Sequence, residues 1–182
     1  MAGGAGGDRT AGGAVVHRCR FATERLSVGP WHEAGDDELI GFVVDLLGAD
    51  VGTYLPPSWQ GPLTRASAGA WVAARDAEGP VLLVRERSSG DAVGLVVLFA
   101  EGLGPPASLR VGYVLAREHW GRGLATEVVR GLVAWSGTVG VDALDALVSR
   151  GNAASMRVLI KAGFVEADGA PSSEVVRFVW PA

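Results

Sequence analysis

The sequence is short of cysteine, lysine and net positive charge, and each shortage excludes something. One cysteine in 182 residues, Cys19, leaves no internal disulfide framework, and it reads as an ordinary free thiol near a loose terminus. Sixteen basic residues against twenty acidic ones give a net charge of −4, which removes the general electrostatic case for nucleic acid or an anionic membrane as partner. No uninterrupted apolar run is long enough to span a bilayer. The first residues lack the apolar stretch of a secretory signal, so cytoplasmic residence is the expectation. Lys161 is the one lysine; the bias toward arginine, alanine, glycine and valine carries no functional weight. With 48% hydrophobic residues, the chain suits one domain with a real core.

Residues 1–19 read as a flexible leader, because "MAGGAGGDRTAGGA" offers too little side-chain bulk to offset its ordering entropy. Residues 20–182 read as a single α/β domain with a mixed, mostly antiparallel twisted sheet flanked by helices. A first strand lies in "CRFATERLSVGPW", closing at Pro30. "DDELIGFVVDLLG" has acids in its opening turn and Leu39, Phe42, Val43, Leu46 and Leu47 at helical spacing, with Gly48 at its end. "YLPPSWQGP" reads as a loop, and Leu63–Asp76 as a second helix. "PVLLVRER" and "AVGLVVLFAE" form a hairpin whose second arm is apolar almost throughout, as in a strand covered on both faces. There follow a strand Leu109–Leu115, a helix Arg122–Ser136, a strand "ALDALVS", a helix Asn152–Ala162, and strands near Phe164–Ala167 and Glu174–Trp180.

Two motifs carry chemistry. In "LRVGYVLAREHWGRGLATEVVRGLVAWS" a strand passes through a G-x-G-x-A step into a helix with Leu124, Val128, Leu132 and Trp135 on one face, and Glu127 and Arg130 on the other. The unpaired N–H groups of that helix's first turn, with the positive end of its dipole, suit an anion. Gly121 and Gly123 leave the backbone open to a diphosphate, and Ala125 is nearly as small. Arg117, His119 and Arg122 surround the same loop. A tight strand-to-helix turn would explain the glycines equally well. The full G-x-G-x-x-G and the Gly-Lys-Ser/Thr step are both absent, which speaks against a dinucleotide fold and a P-loop. The second motif is "SRGNAASMRVLIKAGF": Asn152 can cap its helix, and Asn152 with Ser155 can aim an amide and a hydroxyl at a ligand in a neighbouring cleft.

Together, "GYVLAREHWGRGLATEVVRGLVAW" and "NAASMRVLIKAGF", with "TERLSVGPW" near the start, resemble the GCN5-related N-acetyltransferase family, nearest its branch of ribosomal-protein N-terminal alanine acetyltransferases. The resemblance spans about Phe21 to Trp180. It implies an enzyme that moves an acetyl group from acetyl-CoA, a co-substrate, to a primary amine by direct attack, without a metal. It implies that Tyr113–Leu115 pairs with the pantetheine arm like an extra strand. A bulge there would splay that strand from Ala143–Ser149, and a backbone N–H near Val114 or Leu115 would polarise the thioester. The loop from Arg117 to Thr126, with His119, Gly121, Arg122, Gly123 and Ala125, would hold the diphosphate, and Asn152 and Ser155 the arm. Oligomeric state is left at monomer or homodimer.

Two positions depart from the family pattern. Trp120 stands where the acyl-CoA loop usually begins with a basic residue or glutamine, and Arg110 stands where relatives carry a carboxylate that helps deprotonate the amine. Arg110 cannot serve as a base, which leaves Glu101, a water chain or solvent. Ser155 is the preferred proton donor to the leaving sulfur, ahead of Tyr113. Trp31 and Trp59 are candidates for an aromatic wall over the acceptor amine. Arg110 suggests two alternatives: a catalytically weak acyl-CoA-binding module, or a transferase using a larger acidic acyl donor such as succinyl-CoA.

Overall fold

Alternating and continuous apolar segments assemble into one sheet with helices on both faces. The structure, a computed structural model, describes residues 18–48, 54–60, 63–100 and 108–181. Its strands are β1 (Phe21–Ala22), β2 (Leu26–Pro30), β3 (Val81–Glu86), β4 (Ala92–Ala100), β5 (Ser108–Leu115), β6 (Ala143–Ser149), β7 (Val165–Ala167) and β8 (Val175–Pro181). The helices are α1 (Asp36–Gly48), α2 (Arg65–Glu78), α3 (Leu124–Thr138) and α4 (Ala153–Lys161). The sheet order is β1-β2-β3-β4-β5-β6-β8-β7, antiparallel everywhere except between β5 and β6. No helix among the described residues is long and apolar enough to cross a membrane.

Side-chain alternation splits the interior into two cores. On one face Leu124, Val128, Leu132 and Trp135 of α3 and Leu159 of α4 pack on Val96, Leu98, Leu109, Val111, Leu144 and Val148. On the other, Leu39, Val43, Leu46 and Leu47 of α1 and Ala68 of α2 pack on Leu83, Leu95, Val97 and Val114. Each fully buried leucine contributes about 1.5–3 kcal/mol, so the strands are held from both sides, as the apolar run of β4 requires. The second core stops at β5: no residue of β6 or β8 belongs to it.

The expected single first strand is two short ones. Thr23 N–H donates to the Leu26 carbonyl at 2.8 Å and Thr23 Oγ1 accepts from Leu26 N–H at 3.1 Å, which turns the chain sharply between β1 and β2. The expected leader lies outside the described residues except for Arg18 and Cys19. Cys19 is fully buried in the α3/α4 core, and burial pushes its thiol up to about 12.

Candidate active site

The β5–β6 ladder is short, and that opens the site. Only Ser108, Leu109 and Arg110 pair with Ala143, Leu144 and Asp145. Beyond them β5 runs on to Leu115 and β6 to Ser149, each paired only with its outer neighbour. A notch between two diverging strands results. The expected bulge in β5 is not what parts them: its register with β4 runs unbroken from Leu109↔Ala100 to Leu115↔Gly94. The irregularity lies one ladder away, between Val84 and Arg85 opposite β4.

Strand parity decides which backbone groups face the notch. Ala116 N–H donates to the Val93 carbonyl at 3.0 Å, so Ala116 and Val114 direct their amides and carbonyls to β4. Consistent with this, the Val114 carbonyl lies only 2.5 Å from where a Cβ on Gly94 would stand. Tyr113 and Leu115 therefore turn theirs toward the notch. The Leu115 carbonyl there accepts the Trp120 indole N–H at 2.8 Å.

One wall of the notch ends in the glycine loop. After a single 3-10 turn at Arg117–His119, Gly121 and Gly123 take φ of 72° and 78°, a conformation that glycine adopts without steric cost. Gly123 precedes the first turn of α3 and supplies no side-chain cap. Glu127 N–H is the amide that reaches the Gly123 carbonyl, so those of Leu124, Ala125 and Thr126 have no helical acceptor. By contrast, α2 and α4 are capped by the side chains of Thr64 and Asn152. The α3 N-terminus thus keeps its anion-binding capacity. Arg122 donates to Glu86 and lies 3.0 Å from His119 Nδ1, so both of these residues are engaged within the protein. Arg117 is exposed on the loop.

The opposite wall is the start of α4. Asn152 Oδ1 accepts from Ser155 N–H at 3.0 Å, the expected cap. The Ser155 hydroxyl lies 2.8 Å from the Tyr113 hydroxyl, so these two residues bridge the notch on the α3/α4 face. Burial, partly offset by the hydrogen bond with Ser155, pushes the Tyr113 phenol up to about 12. It is therefore protonated at neutral pH and able to donate. At the mouth, the Tyr54 hydroxyl donates to the Gly151 carbonyl at 3.0 Å, linking the segment before α2 to the turn before α4.

On the α1/α2 face, Arg110 and Asp145 are the last paired residues before the strands part. Asp145 is 2% exposed, and its Oδ2 accepts from Arg110 Nη2 and Arg177 Nε, both at 3.2 Å. Asp145 Oδ1 has no hydrogen-bond partner among the described residues. Nothing in the local pattern of "ALDALVS" marks its acid as buried. Glu101, the carboxylate considered as a base, lies outside the described residues.

Trp31 and Trp59 are both in the α1/α2 core, at 0% and 5% exposure. Trp31 Nε1 donates to Asp76 at 2.7 Å. The two rings meet Trp71 edge-on, with centroids 6.1 and 5.0 Å away, and Arg75 covers Trp71. Packing accounts for both positions.

Sequence reading also missed Glu127. Set on the outer face of α3 by periodicity, it is instead covered by the β1–β2 hairpin. Its carboxylate accepts from Thr23 Oγ1 at 2.5 Å and from Arg25 N, Nε and Nη2 at 2.7–2.8 Å. Burial pushes this carboxyl up, but the hydrogen bonds from Thr23 and Arg25 outweigh it and hold it below the usual range.

No group of three or more His, Cys, Asp or Glu side chains able to hold a metal occurs among the described residues. A family model described as an acetyltransferase (GNAT) domain matches residues 25–165. A search of the curated proteins gives no match. Three solved structures are similar in fold. A GNAT-family acetyltransferase from Bacillus anthracis is 17% identical with a TM-score of 0.69, covering 90% of this chain and 98% of that one. A GCN5-related N-acetyltransferase from Brucella melitensis is 17% identical at 0.73, covering 90% and 79%. The yncA protein from Salmonella typhimurium, solved with its cofactor acetyl-CoA, is 17% identical at 0.62, covering 87% and 94%. The family match takes in both walls of the notch, the glycine loop and the Asn152 helix, and on it this chain belongs to the GNAT family of acetyltransferases.

Proposed function

We propose that this protein transfers the acetyl group of acetyl-CoA to a primary amine, either a protein N-terminus or a small-molecule amine, by direct attack. The observation that carries the reading is the notch itself. It has a glycine-flanked, uncapped helix N-terminus at the end of the β5 wall, and a half-buried β5 phenol hydrogen-bonded across it to a serine of α4.

In this reading the amides of Gly123, Leu124, Ala125 and Thr126 hold the diphosphate, with Gly121 giving it room and the side chains of Arg117, His119 and Arg122 bordering it. The pantetheine arm lies along the notch edge of Tyr113–Leu115, beside Asn152 and Ser155. The Leu115 N–H polarises the thioester carbonyl, preorganised because the strand is fixed to β4. The neutral amine attacks the carbonyl carbon from the α1/α2 side, where β6 and β8 are left open. The C–N bond forms, the C–S bond breaks, and the departing sulfur takes a proton from Tyr113 directly or through Ser155. The amine's proton passes to solvent. The branch we favour, on the motifs rather than on any structural likeness, is that of the ribosomal-protein N-terminal acetyltransferases. We further propose that the protein acts in the cytoplasm, as a monomer or homodimer.

A second reading has an observation of its own. Arg110 is held by a buried carboxylate at the point where the strands part, which suits recognition of an acidic group, such as the free carboxylate of succinyl-CoA, in place of proton abstraction. The test is release of CoA thiol against a panel of N-terminal peptides, amino acids and aminoglycosides, with acetyl-CoA and succinyl-CoA compared at one acceptor. Amine-dependent release from acetyl-CoA supports transfer. A succinyl-CoA preference that Arg110→Glu reverses supports the second reading. Ligand binding with no release across the panel leaves an acyl-CoA-binding module.

A further inference from the structure

We propose that Arg25, on the β1–β2 hairpin, is a positioning residue for the diphosphate cradle: it fixes the direction of the Gly123 N–H. This rests on the reading that the notch holds acetyl-CoA.

Arg25 Nη1 donates to the Arg122 carbonyl at 3.0 Å. In a planar trans peptide the carbonyl and the next N–H point in opposite directions. Holding the Arg122 carbonyl toward Arg25 therefore turns the Gly123 N–H away from the hairpin, to the side of the loop open to a ligand. It also takes a negative carbonyl dipole out of the path of an incoming anion. Without that tether, the Arg122–Gly123 peptide plane turns about ψ of Arg122 and φ of Gly123, and Gly123, at φ 78°, resists that rotation very little.

The guanidinium is itself fixed. Its Nε and Nη2 both bind Glu127 Oε2, while Arg25 N–H and the Thr23 hydroxyl bind Glu127 Oε1. The hairpin is seated on α3 at Gly131, where a Cβ would lie 2.6 Å from Phe21 Cε2 and 2.8 Å from Thr23 Cγ2. Gly131 is one helical turn beyond Glu127, so the same face of α3 receives the hairpin's apolar contact and its charged one. Arg25 spans from that fixed seat to the loop carbonyl, a reach that needs the planar fork of arginine.

The experiment compares wild type, Arg25→Ala and Arg25→Lys with two acetyl donors, acetyl-CoA and S-acetylpantetheine, the second lacking the diphosphate. Acetyl-CoA binding is read by calorimetry and KM for each donor at one fixed amine. The expected result is a roughly ten- to hundredfold weaker affinity and higher KM for acetyl-CoA in both variants, with KM for S-acetylpantetheine and kcat within about twofold of wild type. Lysine does not rescue, because one ammonium cannot hold Glu127 and the Arg122 carbonyl together. An equal loss with both donors makes Arg25 an anchor of the fold only and overturns the proposal. So does acetyl-CoA affinity unchanged by either substitution. No acetyl-CoA binding by the wild type overturns the functional reading as well. Should Arg25→Ala not fold, Arg25→Lys carries the same comparison.

Discussion

Replacing Gly94 by alanine tests whether the notch edge of β5 is set by its neighbour. Gly94 pairs with Leu115, and an added Cβ would lie 2.3 Å from Leu115 Cδ2 and 2.5 Å from the Val114 carbonyl oxygen. The leucine methyl can swing aside, but the carbonyl is backbone. Restoring an ordinary contact of about 3.4 Å displaces the end of β5 by nearly 1 Å, and overpacking of this kind costs about 1–3 kcal/mol. The same shift carries the Leu115 N–H off the position proposed for polarising the thioester, where a misplacement of about 1 Å is worth up to about a hundredfold in rate. Gly94→Ala is therefore expected to lower Tm by several degrees and kcat/KM by about ten- to a hundredfold. The measurements are thermal unfolding and steady-state CoA release. Gly112→Ala, in β5 itself with nothing within 4 Å of its Cβ, keeps the wild-type Tm. Gly94→Ala with wild-type Tm and kcat/KM would refute the reasoning, and so would equal destabilisation by Gly112→Ala.

Three further outcomes are expected. Tyr113→Phe removes the protonated phenol and lowers kcat by about a hundredfold while leaving KM for acetyl-CoA nearly unchanged; a kcat within twofold of wild type excludes it as the donor. Asn152→Ala strips the α4 cap and costs about 0.5–2 kcal/mol in urea unfolding, and an unchanged midpoint argues that water replaces the cap. Stability falls at high pH through Cys19, whose thiol moves from 9.0 to about 12 on burial. Its folded pKa is raised, so the stabilisation is complete below pH 9 and is lost as pH climbs toward 12, amounting to roughly 4 kcal/mol in all. Denaturant unfolding at pH 7 and pH 10.5 is expected to show a smaller alkaline loss for Cys19→Ala than for wild type; equal losses contradict it.

Local patterns carried most of the fold. The apolar run at β4, the acidic opening of α1 and the stripe Leu124, Val128, Leu132, Trp135 all report burial on one or both sides, and the structure buries them so. Periodicity failed where a polar group is satisfied by a distant segment. Glu127 meets Arg25 across 102 residues, Tyr54 meets Gly151 across 97, and Tyr113 meets Ser155 across 42; no window of sequence contains such pairs. Asp145 failed for the same reason, since its partners lie on two other strands. The glycine loop was legible because positive φ demands glycine and a helix needs a start. The hairpin that holds it showed only as the short segment "TERL". Trp31 and Trp59 lay on loops by sequence, and a large aromatic on a loop reads alike whether it faces a ligand or, as here, folds back into the core.

The central claim is that the notch between β5 and β6 binds acyl-CoA through the turn at Gly123. Calorimetric titration of acetyl-CoA into the wild type and Gly123→Phe tests it most directly, with circular dichroism to verify that the variant is folded. At φ 78° a phenylalanine is strained and would also stand where the diphosphate approaches the backbone. Saturable one-site binding to the wild type, lost in the folded variant, is the predicted result. No saturable binding to the wild type, or equal binding to both, would contradict the account.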